Sequence, residues 1–238
     1  HGSVVGLFAT AAPMMTFVSA LQYQSSGVTA LFITLTPISA MIYAHFRLPD
    51  DRMTARKVIG ALVSFAGVGL LLVTGETGLG VARWEGFVLV LVGVAANGFG
   101  IVHVRKYLAR ANSLDITTVR LVAAAVVTIP IALLAGAFDF SRVAWSGILA
   151  LAYGALPGTL FGFFLYSFVA KRFGPTKATQ SEYLVPVVTV VAGALFLGER
   201  VSGIMIAGMV IVLTGIAIAT WRTPGASPTT GRRARRQR

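Results

Sequence analysis

Apolar residues in this chain come in long runs separated by short polar breaks. A helix needs ~20 consecutive, mostly apolar residues to cross the hydrocarbon core of a bilayer, and eight runs approach that length: Val4–Tyr23, Val28–Phe46, Val58–Thr74, Trp84–Val104, Ile116–Ala135, Val143–Val169, Ala178–Leu197 and Gly203–Trp221. The breaks carry turn chemistry: SSG at 25–27, LPDD at 48–51, GETG at 75–78, ARANS at 109–113, FGP at 173–175 and GER at 198–200. The pattern predicts an all-α membrane protein, a polytopic helical bundle of eight spans.

Two spans contain a proline near their middle. Pro186 lies four residues after Glu182, and Pro37 lies four after Ile33. A proline inside a helix removes the hydrogen bond to the carbonyl four residues back, so the carbonyls of Glu182 and Ile33 lose their usual partners. Lipid cannot satisfy such groups, and both turns are expected to face protein or a water-filled cavity.

Composition agrees with the pattern. Of 238 residues, 56% are hydrophobic and 12% charged, and mean hydropathy is +0.81; soluble domains are nearer a quarter charged. The absence of cysteine excludes disulfides and thiolate metal sites. The chain begins at His1 with an apolar run close behind, which reads as a chain whose natural N-terminus lies further upstream and not as a signal peptide. The formal charge of +12 is placed asymmetrically. Seventeen Lys and Arg residues lie in alternate connections, near their span ends and in the tail, against Arg83, Arg142 and Arg200 on the opposite side. The positive-inside rule makes the rich side cytoplasmic, so both termini of this chain are expected inside, in a multi-pass plasma-membrane protein. Trp84, Trp145 and Trp221 fall at span ends, where indoles anchor to headgroups. The tail, residues 222–238, is rich in Pro, Gly, Ser, Thr and Arg and is expected to be disordered. Its basic cluster suits anionic lipid headgroups, so membrane lipids are expected partners and nucleic acid is not.

The chain repeats itself. The stretch from Pro37 matches that from Pro186, with Arg52 against Arg200, Gly60 against Gly208 and Gly67 against Gly215. The connection at 47–57 falls on the cytoplasmic side and its counterpart at 198–202 on the other, so the two copies are inverted, a recurring plan of secondary transporters.

The mid-helix prolines, the Gly198-Glu199-Arg200 turn and the glycines at 208 and 215 resemble the EamA-type permeases of the drug/metabolite transporter superfamily. The first copy departs from that pattern, with Leu48-Pro49-Asp50-Asp51-Arg52 at its turn. The resemblance implies two five-span halves. Residues 1–75 read as a partial first repeat of three spans and residues 84–221 as a complete second repeat, leaving two spans expected before His1. It also implies a secondary transporter, an exporter of small metabolites or drugs.

Glu182 is the sharpest candidate for substrate or proton binding. An intramembrane carboxylate costs ~2.5–3.5 kcal/mol on insertion scales, so it is rarely present without a partner or role. At helical spacing it shares a face with Thr179, Pro186, Thr189 and Gly193, a stripe suited to a cavity wall; rocking of the two halves around a proton-carrying Glu182 would couple transport to a proton gradient. The alternative is an ion pair with Lys177 or Arg172 near the cytoplasmic end. Asn97, mid-span, could hold a zwitterionic or amide substrate through its donor and acceptor, or make an interhelical hydrogen bond. Tyr153 is a candidate because Pro157 frees its carbonyl; Pro37 and Pro186 mark the broken turns. Gly154, Gly158 and Gly162 form a close-packing row. His103 has no second ligand at metal spacing, and Arg120 is placed to snorkel, so no metal is expected. No HExxH, GxSxG or phosphate loop occurs, which argues against a membrane-embedded enzyme and leaves no catalytic residue and no cofactor to assign. A non-transporting sensor or assembly partner, and assembly as a homodimer, stay open.

Overall fold

The computed structural model describes residues 1–49, 53–75, 83–108, 111, 113–134, 136, 143–161, 165 and 184–220. All regular structure among them is helical. Helix α1 covers Gly2–Ala20, with a wider π-helical stretch at Leu7–Ala11. Helices α2, Ser26–Ile33, and α3, Thr36–Arg47, form one broken span. Then follow α4 (Ala55–Thr74), α5 (Trp84–Tyr107) and α6 (Ser113–Leu134). Helix α7 runs through Trp145–Tyr153 and continues as a π-helical segment over Gly154–Phe161. Helix α8 is Leu184–Leu197 and α9 is Gly203–Thr220. Six of the described helical spans are long and apolar enough to cross a membrane, and α8 is a shorter apolar helix. Observed ends lie within a few residues of the hydrophobic runs. The parts of the sixth and seventh runs at 162–164, 166–169 and 178–183 lie outside the described residues, as does the tail.

Local chemistry explains the ends. Ser25, in an extended conformation, caps α2 by accepting a hydrogen bond from the amide of Val28 at 3.2 Å. Thr54 does the same for α4 through Lys57 N at 3.4 Å. Gly75 closes α4 at φ 65°, the left-handed conformation that glycine adopts without a Cβ penalty. Trp84 and Trp145 open α5 and α7 and are each 71% exposed, as headgroup anchors require.

The most extensive packing joins α4 to α9. In a membrane, helices associate through close van der Waals fit and hydrogen bonds, because lipid offers apolar contact equally well. Here glycines supply the fit. A Cβ on Gly60 would lie 2.5 Å from Gly215 O, and one on Gly67 would lie 2.9 Å from Gly208 O. Between these crossings the buried Ser64 donates to Val212 O at 3.1 Å. The contact is antiparallel: Gly60 meets Gly215 while Gly67 meets Gly208, and Ser64 meets a residue 148 positions later.

The core continues on the other side. Phe32 packs on Phe87, with ring centroids 5.3 Å apart, and Leu31, Leu35, Ile38, Val90, Val190 and Met205 are buried around them. Helix α1 lies between α5 and α6.

Candidate functional site

The broken span organises the site. Thr34 and Leu35 interrupt the ladder before Pro37. Helix α2 packs on α8 and, through Phe32, on α5, and α3 packs on α5. Pro37 therefore stands where the span leaves α8 while staying against α5. The Ile33 carbonyl, freed by Pro37 and expected to face protein or a water-filled cavity, is met by protein: the Thr36 hydroxyl donates to it at 2.7 Å, and the Thr34 hydroxyl likewise reaches Leu31 O. Threonine side chains stand in for the missing amides, so this turn presents no bare carbonyl at Ile33.

Asn97 lies near the middle of α5. Its neighbour Gly98 abuts Ser39 and Ala40 of α3, while Gly93 and Gly100 abut α1 at Thr16, Phe17 and Ala9. Asn97 lies on the strip of α5 between those two contacts. It is half-buried and has no hydrogen-bond partner among the described residues. The interhelical bond that was the alternative for this residue is not formed among them. A cavity of about 240 Å³ lies on another strip of α5, lined by Leu91, Val94 and Ala95 together with Ser39 and Tyr43 of α3 and Phe65 of α4. It is almost wholly apolar and does not include Asn97.

The other candidates are placed unequally. Pro186 is buried on α8. Gly193, expected in a cavity wall, instead packs against Ser26 and Glu199, and Thr189 is half-buried with its hydroxyl returned to Val185 O at 2.8 Å. Tyr153 is 71% exposed and its ring has no partner among the described residues. Glu182 and Thr179 lie outside the described residues. No cluster of three metal-ligating side chains is found among the described residues.

One arrangement was not anticipated. Gly198, at φ 66°, turns the chain back after α8, and the Glu199 amide donates to Gly193 O at 3.1 Å. This aims the Glu199 carboxylate at the start of α2. Its Oε1 accepts from Ser26 N at 2.8 Å, and its Oε2 accepts from Ser26 Oγ at 3.0 Å and Gly27 N at 3.4 Å. With Val28 N bonded to Ser25 Oγ and Thr29 N to Ser25 O at 3.0 Å, the first four amides of α2 are all satisfied. An anion there also meets the positive end of the helix dipole. The approach is close because both sides are glycine: a Cβ on Gly193 would collide with Glu199 Oε2, and one on Gly27 would lie 2.5 Å from Met205 Cε and 2.8 Å from Val190 Cγ2. Beneath this cap Gln24 is buried; its amide donates to Thr29 Oγ1 at 3.0 Å, but its Oε1 has no donor among the described residues. The sequence marked both halves as turns, SSG at 25–27 and GER at 198–200, yet nothing in it linked two segments 173 residues apart.

The sequence matches the EamA-like transporter family over residues 2–73 and 84–221. It is 28% identical over 214 residues to the "Probable terminal-alkyne amino-acid exporter" of Streptantibioticus cattleyicolor, covering 87% of this chain and 69% of that protein. It is 26% identical to the "Uncharacterized transporter YoaV" of Bacillus subtilis, covering 84% and 68%. It is 25% identical to the "Uncharacterized inner membrane transporter YedA" of Escherichia coli K12, covering 87% and 65%. The chain thus spans about two thirds of the length of these relatives. A solved crystal structure with 20% identity superposes at a TM-score of 0.59 over 92% of this chain and 75% of the other, which is a likeness of fold.

Proposed function

Because this chain belongs to the EamA-like transporter family, we propose that it works as a secondary transporter exporting small zwitterionic, amino-acid-like metabolites across the bacterial plasma membrane. Proton coupling through Glu182 is part of the proposal. The observation that carries the substrate class is Asn97: an amide in mid-span, on a strip between two packing faces, with no partner among the described residues. A polar group at that depth is costly unless a ligand or water meets it, and an amide can both donate to a carboxylate and accept from an ammonium. The name of the Streptantibioticus relative points to the same chemistry. Cationic drugs are the competing substrates, and for them an uncharged amide offers little.

In the full-length protein reconstituted into proteoliposomes, Asn97→Leu is expected to reduce amino-acid flux at least fivefold, with unchanged insertion and unchanged elution on size exclusion. Asn97→Gln, which keeps both hydrogen-bonding roles, is expected to retain part of the flux. Equal flux for Asn97→Leu and wild type would remove Asn97 from the substrate path.

The proposed orientation places both termini of this chain in the cytoplasm and the α6–α7 connection outside. Ala144 and Ala111 are both exposed. Since the chain has no cysteine, a single cysteine at Ala144 is expected to react with an impermeant maleimide added to intact cells, and one at Ala111 only after lysis. The reverse pattern would invert the whole topology.

A further inference from the structure

We propose that Glu199 is the outer latch of the transport cycle: its carboxylate holds the start of α2 against the end of α8, and its release from Ser26 and Gly27 opens the outer face. The inference rests on the transporter reading and on the orientation above, which puts the 24–27 and 198–202 connections on the outer side.

Three observations carry it. Among the described residues the carboxylate alone reaches across from the α8–α9 turn to cap α2, and its bonds go to three atoms of two adjacent residues, Ser26 N, Ser26 Oγ and Gly27 N. Such a contact can be made or broken as a unit. The helices it joins approach each other through glycine on both sides, Gly27 and Gly193, so at the latch itself no long side chain interlocks the two faces, and the apolar contact that opening must break lies just beneath, where Gly27 faces Val190 and Met205. Finally, closure leaves a buried acceptor unpaired, since Gln24 Oε1 lacks a donor among the described residues. Opening would admit water to that oxygen and to the α2 amides that Glu199 vacates, which offsets the loss of the latch. The closed state thus has a strong charged contact and a compensating defect side by side, the balance expected of a contact that must break in every cycle.

The break before Pro37 shows how the motion could stay local. Helix α2 packs on α8 and reaches α5 through Phe32, whereas α3 packs on α5, so a tilt of α2 at Thr34–Leu35 moves Phe32 against Phe87 while α3 keeps its packing.

The test uses the full-length protein in intact cells with single cysteines. Val28 is fully buried one residue beyond the latch, and Val102 is buried in α5 toward the other membrane face. Val28→Cys reports the latch from outside with an impermeant maleimide, and Val102→Cys reports general loosening with a permeant one. Both rates are normalised to the exposed cysteine at Ala144. The expected result is that Glu199→Gln and Glu199→Ala each raise the Val28→Cys rate at least tenfold and leave the Val102→Cys rate within twofold of the parent. Unchanged labelling at both positions overturns the latch, and so does equal acceleration at both, which would make Glu199 a cap needed only for folding. Flux is measured on the same variants. Selective acceleration in a protein that transports nothing, even with Glu199 intact, would sink the transporter reading and keep the latch. Normal flux with unchanged labelling would do the opposite.

Discussion

Glu182→Gln is expected to abolish flux driven by a proton gradient while leaving the protein inserted and folded. The substitution keeps the shape and a hydrogen-bonding head and removes only the titration. Substrate exchange run without a gradient should persist and lose its dependence on pH between about 6 and 8, the range in which a proton-carrying site must cycle. If Glu182 were an exposed ion-pair partner of Lys177, the pair would be worth ~0–1 kcal/mol and flux would hardly change. Paired proteoliposome measurements on wild type and Glu182→Gln in the full-length protein decide between the two. Normal gradient-driven flux in the variant would remove the proton site from the mechanism and leave the family membership untouched.

Gly215→Val is expected to have the largest structural effect. A Cβ at Gly215 would lie 2.5 Å from Ser64 N and 2.6 Å from Gly60 O, and these are backbone atoms of a packed helix that cannot rotate away. The valine must push α9 off α4, breaking the Ser64–Val212 hydrogen bond and separating the Gly67–Gly208 crossing. Overpacking of this kind costs ~1–3 kcal/mol in a well-packed core, and here it strikes the most extensive helix pair. Monodisperse protein recovered after detergent extraction should fall at least fivefold. Gly69→Val, where nothing lies within 4 Å of the added Cβ, should change little. Equal recovery of the two variants would show that the α4–α9 contact is not what holds the helices together.

The spans were legible because a bilayer imposes a length and a composition that few other environments demand, and the runs beginning at Val58, Trp84 and Gly203 end within a few residues of α4, α5 and α9. The glycines at 60, 67, 208 and 215 were legible as small packing residues, but which of them meet in space was not. What could not be read was anything that depends on which helices meet. Pro37 frees a carbonyl that Thr36, its neighbour in sequence, satisfies; that donor was visible in the sequence, but its rotamer was not. Glu199 read as part of an acidic turn, and its role appears only when α8 and α2 lie side by side. Asn97 kept its place as a candidate because its neighbours on either side are glycines that draw in α1 and α3, leaving its own strip between them.

The α4–α9 contact has a consequence for how the protein is made. Its two halves are 148 residues apart, and α9 leaves the ribosome after the other described helices. At ~5–20 residues per second, α4 waits roughly 7–30 s in the membrane with Ser64 and its glycine groove uncovered. During that interval lipid, an earlier span or the insertion machinery must occupy the groove, and α9 must displace whatever is there. The α4–α9 contact therefore forms only once α9 has been inserted. Truncation before Gly203 should leave a nascent chain that inserts but cannot lock, a natural target for membrane quality control.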